Sequence, residues 1–178
     1  KVNSFTIDQI SSKWKKNGVP KSIASINFSV DIYNVLYFTE WHDGTLIQAS
    51  GLYFVPRDIE NAALVIYNHG TRLNPNYRDI KCNREGLIAL IFATDGYAVA
   101  VPDYVGLGEG EKTHLYMHAD SEANAGIYFL KAIQDVNKKL NVELNNQLFI
   151  TGYSQGGHAT LALHKKLQDE YIDTFPVT

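Results

Sequence analysis

Apolar positions divide the chain into elements of two periods. Ile7, Ile10 and Trp14 form a stripe at helical spacing, and Thr6 with Gln9 has capping-box spacing. Residues 4–16 therefore read as a short helix, stopped by Gly18 and Pro20. Phe28, Val30 and Ile32 then alternate with polar residues, and Val35, Tyr37 and Thr39 alternate in the opposite phase. That pattern predicts a strand with a bulge near Asn34. Asp43-Gly44 is a hairpin signal, and a second strand follows from about Leu46 to Val55, ended by Pro56.

Beyond Pro56 the alternation gives way to short continuous apolar runs, the mark of strands buried on both faces. They are Ala63–Tyr67, Tyr97–Val101 and Leu148–Ile150. Between and after them lie three helical patterns. The first runs from Leu87 to Thr94, with Asn83 as its expected cap and Asp95-Gly96 as its end. The second is capped at Asp120 or Ser121 and reaches about Leu140, with Ala125, Phe129, Ala132, Ile133 and Val136 on one face. The third carries Ala159, Ala162, Leu163 and Leu167. Phe175–Thr178 looks like the opening of a further strand. The alternation predicts an α/β fold: a mostly parallel sheet with helices on both faces, led by an antiparallel strand pair. Reactive groups in such sheets sit beyond the carboxyl ends of the strands. His69-Gly70-Thr71, Asp103 and Ser154 all fall at such ends.

The stretch around Ser154 carries the chemistry. Gly152-Tyr153-Ser154-Gln155-Gly156 fits Gly-x-Ser-x-Gly, between a buried strand and an amphipathic helix, which is the context of a nucleophile elbow. A serine hydroxyl is a poor nucleophile until a base takes its proton, so it must stand where a histidine can reach it. A tight turn lifts Ser154 off the strand end, and Gly152 and Gly156 let helix and strand pack closely. At a helix N-terminus, free N–H groups and the dipole favour the negative charge of a tetrahedral intermediate, with Gln155 donating one backbone N–H. The competing structural reading is a glycine-rich turn with a capping serine.

Composition changes little. With 178 residues, 45% hydrophobic and 20% charged, the chain has enough material for one domain with a core. A net charge of -3 gives no case for nucleic acid as a partner, and no apolar run approaches membrane-spanning length. Cys82 is the single cysteine, which excludes an intrachain disulfide. Its place near a helix cap would suit an activated thiol, but an ordinary thiol is the simpler expectation. Gly106, Gly108 and Gly110 precede no immediate helix and do not match a dinucleotide fingerprint. His114 and His118 have i, i+4 spacing but lie in a loop without an obvious carboxylate partner, so no metal site is expected. Tyr104, Leu107, Leu115, Tyr116 and Met117 are candidates either for an acyl pocket or for packing the loop.

Three motifs together resemble one family. They are Tyr67-Asn68-His69-Gly70-Thr71, Gly96-Tyr97 leading to Pro102-Asp103-Tyr104-Val105-Gly106-Leu107-Gly108, and Gly152–Ala159. Over residues 45–178 the chain resembles the first half of an α/β-hydrolase, of the secretory-lipase-like serine esterases. The resemblance implies hydrolysis of carboxylic esters through an acyl-enzyme on Ser154, with a small-molecule ester or lipid-like substrate and no cofactor. It implies oxyanion donors from Gln155 and from the loop after His69, where Thr71 is favoured and Gly70 is a further candidate. His69 is then a loop organiser, Asp103 a support of the 103–110 turn and Tyr153 a support of the elbow. A secreted or periplasmic location follows by family resemblance. A serine closing the Gly106-Leu107-Gly108 loop is common in the family, whereas Glu109 and Gly110 stand here.

The larger departure concerns the triad, which in the family runs Ser, Asp, His along the chain. Only His158 and His164 follow Ser154, both on its own helix, and His158 is expected to be packed or hydrogen-bonded structure. The acid and base are thus expected beyond residue 178, and the isolated fragment is expected to lack a complete triad. The organisation implied is an N-terminal helical flank over residues 1–27 and the N-terminal part of the hydrolase domain over 28–178, completed by a C-terminal remainder. A serine peptidase, an acyltransferase or an inactive hydrolase-like binding domain would use the same fold.

Overall fold

The computed structural model describes residues 1–20, 22–23 and 25–178. In chain order the elements are β1 (Asn3–Phe5), α1 (Ile7–Asn17), β2 (Val30–Glu40), β3 (Leu46–Pro56), β4 (Ala62–Asn68), α2 (Glu85–Asp95), β5 (Tyr97–Pro102), α3 (Ala119–Leu140), β6 (Leu144–Gly152) and α4 (Gln155–Glu170). The six strands form one sheet in the order β1-β2-β3-β5-β4-β6. β4 lies between β5 and β6 and is parallel to both, whereas β1–β2, β2–β3 and β3–β5 pair antiparallel. The sheet is therefore mixed, and the expectation of a mostly parallel sheet is corrected. β1 adds an antiparallel strand that three residues without clear alternation could not announce, and it lies where the expected helix began.

Helices cover both faces. α1 and α2 pack Ile10, Trp14, Ala89, Leu90 and Ala93 against Val65, Tyr67, Val99 and Val101. α3 and α4 pack Phe129, Ile133, Leu163 and Leu167 against Leu64, Ile66, Ala98 and Ala100. Successive residues of β4 and β5 thus enter opposite layers, which is why these strands read as unbroken apolar runs.

Two local expectations change. β2 contains no bulge: its register with β3 is uniform from Val30↔Pro56 to Glu40↔Leu46. The phase of burial switches because Val30 and Ile32 lie in the α1/α2 layer, while Val35 and Tyr37 lie in the α3 layer. Leu36 and Phe38 continue the first face but remain exposed. The second change is at α2, which Asn83 does not cap. The Asp79 carboxylate accepts from the backbone N–H groups of Asn83, Arg84 and Gly86, at 3.0, 2.7 and 3.0 Å. A carboxylate at a helix N-terminus satisfies orphan donors and complements the dipole. By contrast, the Thr6–Gln9 capping box forms at the start of α1. At the other side of the sheet, the Thr178 N–H donates to the Leu148 carbonyl at 2.9 Å.

Candidate functional site at the carboxyl edge of the sheet

β6 ends at Gly152 and α4 starts at Gln155, which leaves Tyr153 and Ser154 to make the whole turn. Ser154 pays for that brevity with a positive-φ backbone outside the ordinary regions, φ 57° and ψ −119°. Such a conformation is costly for a residue with a β-carbon and persists only when its surroundings fix it. The surroundings are close-packed. A β-carbon on Gly152 would meet the Gly156 carbonyl and the Thr160 hydroxyl, and one on Gly156 would overlap the Asn68 carbonyl. Tyr153 N–H donates to Asn68 O at 3.3 Å, and Asn68 Nδ2 donates to Thr160 Oγ1 at 3.0 Å. The end of β4 and the first turn of α4 are thereby held together. Ser154 itself is exposed, as is Tyr153.

The first N–H groups of α4 have no carbonyl within the helix to reach. Gly156 and Gly157 turn theirs back on Tyr153 O and Ser154 O, at 2.8 and 2.9 Å. That leaves the Gln155 N–H, directly after the serine, at the mouth of the helix dipole.

The β4 loop faces this turn. Gly70 lies against Tyr153, where an added β-carbon would come within 3.3 Å of its ring and carbonyl. The Gly70 N–H donates to Glu85 Oε2 at 2.7 Å, and the Tyr67 hydroxyl reaches the same oxygen at 3.1 Å. That donor is committed within the protein. Thr71 is exposed, with its hydroxyl 3.2 Å from that of Tyr116. His69 is buried: Nδ1–H donates to Gly70 O at 2.7 Å, its ring packs on Tyr104 with centroids 4.3 Å apart, and its carbonyl accepts from the Tyr104 hydroxyl at 2.8 Å. Burial, and then the nearby Arg72 guanidinium, push its pKa down to about 3, so the ring is neutral at ordinary pH. A cavity of about 550 Å³ runs beneath the following loop, with His69, Thr71, Tyr67, Leu52, Phe54 and Val101 among its lining residues.

Asp103, at the end of β5, is fully buried. It forms an ion pair with Arg72, lies 3.0 Å from Arg78 Nε without hydrogen-bond alignment, and accepts from Ser50 Oγ at 2.8 Å. Ser50 Oγ also accepts from the Glu109 N–H at 2.9 Å, so the carboxylate and this hydroxyl pin the 103–110 turn. Gly108, at φ 66°, passes so close to Asp103 and Ser50 that a β-carbon would clash with both. Gly108 thus serves close packing around a buried acid, while Gly106 packs against the backbone of Thr113 and His114.

None of the six histidines is hydrogen-bonded to Ser154 among the described residues. His158 Nδ1–H donates to Glu122 Oε2 at 2.7 Å. His118 Nδ1 accepts the Ser121 N–H at 3.2 Å and so caps α3, a helix expected to be capped by Asp120 or Ser121. His114 Nδ1–H donates to Val105 O at 3.0 Å, and its Nε2 lies 2.9 Å from Gln155 Nε2. Each member of the His114/His118 pair thus has its own hydrogen-bond partners. Of the residues considered for an acyl pocket, Tyr104 and Leu107 are buried with Ala159, while Tyr116 and Met117 are exposed. Cys82 is buried, and burial raises its thiol pKa well above the usual range, the opposite of activation. Arg72, Arg78, Glu85 and Glu122 were not legible as site residues, because each acts on a partner at least fifteen positions away through the fold.

An exposed serine in a strained strand-to-helix turn, at the carboxyl edge of an α/β sheet, is the arrangement of the α/β-hydrolases. The family model described as secretory lipase matches residues 77–175, more than half of the chain, and the chain belongs to that family. Among solved structures, a candidate hydrolase from Legionella pneumophila is 29% identical, with TM-score 0.88 over 99% of this chain and 48% of its own. The rice cell wall degrading esterase LipA from Xanthomonas oryzae is 27% identical, with TM-score 0.86 over 99% of this chain and 46% of its own. Candida antarctica lipase A shares the fold at 16% identity and TM-score 0.58, over 98% of this chain and 39% of its own. The chain thus spans about half the length of the first two proteins and 39% of the third. A comparison with curated proteins found no match.

Proposed function

We propose that this chain is the N-terminal part of a serine esterase that cleaves carboxylic esters, small or lipid-like, through an acyl-enzyme on Ser154. The observation that carries the reading is the strained, positive-φ, exposed Ser154 at the N-terminus of α4. The hydroxyl attacks the ester carbonyl, and the carbonyl oxygen takes up negative charge as the tetrahedral intermediate forms. The Gln155 N–H and the Thr71 N–H receive that charge. Gly70, whose N–H is bonded to Glu85, contributes by letting the loop approach Tyr153. His69, Asp103 and Tyr153 support these groups.

The general base and its carboxylate belong to residues beyond 178, in the order Ser, Asp, His. Two facts support this placement: His158 is occupied by Glu122, and the similar solved proteins are about twice as long. Residues 1–27 flank the body of the hydrolase domain over 28–178, with β1 on its sheet edge and α1 packed on one face. A secreted or periplasmic location accords with the family description. The test is hydrolysis of p-nitrophenyl butyrate by the full-length protein. Ser154→Ala is expected to remove the activity while thermal unfolding stays unchanged; a variant that retains turnover would refute the serine mechanism.

A further inference from the structure

Beneath the elbow lies a buried polar cluster that the acyl-transfer scheme does not use. Glu122, in the first turn of α3, is 1% exposed. Its carboxylate accepts from two residues of α4, Gln155 Nε2 at 2.7 Å and His158 Nδ1 at 2.7 Å, one on each oxygen. The geometry has a traceable cause. Gln155 and His158 are three positions apart and share a face of α4. Gly126, one turn beyond Glu122, lets α3 approach so closely that a β-carbon there would lie 2.9 Å from Leu163. That approach brings the Glu122 side chain to the first turn of α4.

The donors of the cluster are all committed, while the Gln155 Oε1 atom is buried without a partner among the described residues. His114 Nδ1–H is committed to Val105 O, so its Nε2 accepts the second N–H of the Gln155 amide. Both Gln155 amide hydrogens are used, and reversing the amide would set its oxygen against the Glu122 carboxylate. The side chain is therefore fixed in one orientation by a charge and an imidazole. Gln155 is also the residue whose backbone N–H stands next to the serine. An oxyanion donor acts only if it is held at the developing charge, and small displacements cost large factors in rate.

We propose that Glu122 is a positioning residue for acyl transfer. With His114 and His158 it clamps the side chain of Gln155, and so fixes the backbone N–H that receives the oxyanion. The proposal rests on the serine-esterase reading given above.

The test uses the full-length protein, titrated for active sites, with p-nitrophenyl butyrate as substrate and phenylboronic acid as the tetrahedral mimic. Glu122→Gln and Gln155→Leu are each expected to lower kcat by roughly tenfold or more, with KM changed by less than about twofold. Boronate binding should weaken by a factor similar to that in kcat/KM. The double variant should be no worse than either single one, because both break the same clamp. His158→Ala should also lower kcat, and His158→Asn, which keeps a donor at the Nδ1 position, should restore much of it. The proposal is overturned if folded Glu122→Gln and Gln155→Leu keep kcat within about twofold, or if the two losses multiply. Should Glu122→Gln fail to fold, the His158 pair decides, and equal kcat in both overturns it. Ser154→Ala separates the two levels. If it retains turnover, the esterase reading itself fails; if it is inactive while the clamp variants are normal, only the clamp fails.

Discussion

Gly156 lies against Asn68 so closely that a β-carbon on the glycine would overlap the Asn68 carbonyl. This contact joins the first turn of α4 to the end of β4, and with it the serine to the loop that faces it. Ala at this position must push the helix away or tilt the strand. Overpacking of this kind costs about 1–3 kcal/mol. Gly156→Ala is expected to lower the denaturant midpoint and to slow acylation of Ser154, both read on the full-length protein. Gly157, which has open space around its α-carbon, provides the control. Gly157→Ala should leave both quantities nearly unchanged.

Asp103 is a buried acid at a strand end close to the site, and its partners give it a structural role. Removing one member of a buried charge cluster leaves Arg72 without its carboxylate and Arg78 with Glu109 alone, at a cost of about 3–5 kcal/mol. Asp103→Ala is therefore expected to lower stability strongly, as measured by urea unfolding. Turnover per titrated active site should fall far less than the roughly 10⁴-fold loss expected of a triad carboxylate. A loss of that size in folded protein would reassign the residue.

His69 makes a prediction about pH. Its folded pKa, about 3, lies below the ordinary 6.5 because the ring is buried and Arg72 stands near it. Between those values the unfolded chain binds a proton that the folded chain does not. Stability contributed by neutral His69 is thus fully present above about pH 6.5 and is lost as pH falls toward 3. The slope is about 1.4 kcal/mol per pH unit for one linked proton. Urea unfolding at pH 7 and pH 5 should show a steeper decline for the natural protein than for His69→Gln. Parallel curves would contradict the assignment.

What could be read from the sequence follows the range of the interactions involved. Thr6 and Gln9 cap α1 from three residues apart, and the pattern revealed them. The runs at β4, β5 and β6 were legible because each strand is packed between two layers of helices or at their margin. Asp79 as the cap of α2 was not, since it reaches past four residues to bond Arg84 and six to bond Gly86. The phase switch in β2 looked like a bulge because burial there passes from one helical layer to the other along an unbroken strand. At the candidate site, the motif puts Ser154 and Gln155, neighbours in the chain, at the strand-to-helix turn where the structure has them. It could not locate Glu122, thirty-three positions from Gln155, or the Glu85 carboxylate that occupies the Gly70 N–H.

The most direct measurement is the site of covalent attachment of a serine-directed fluorophosphonate to the full-length protein, mapped by peptide mass spectrometry. One adduct on Ser154, absent from Ser154→Ala, is the expected result. An intact, folded protein that stays unmodified, or an adduct on another serine, would contradict a nucleophile at this turn.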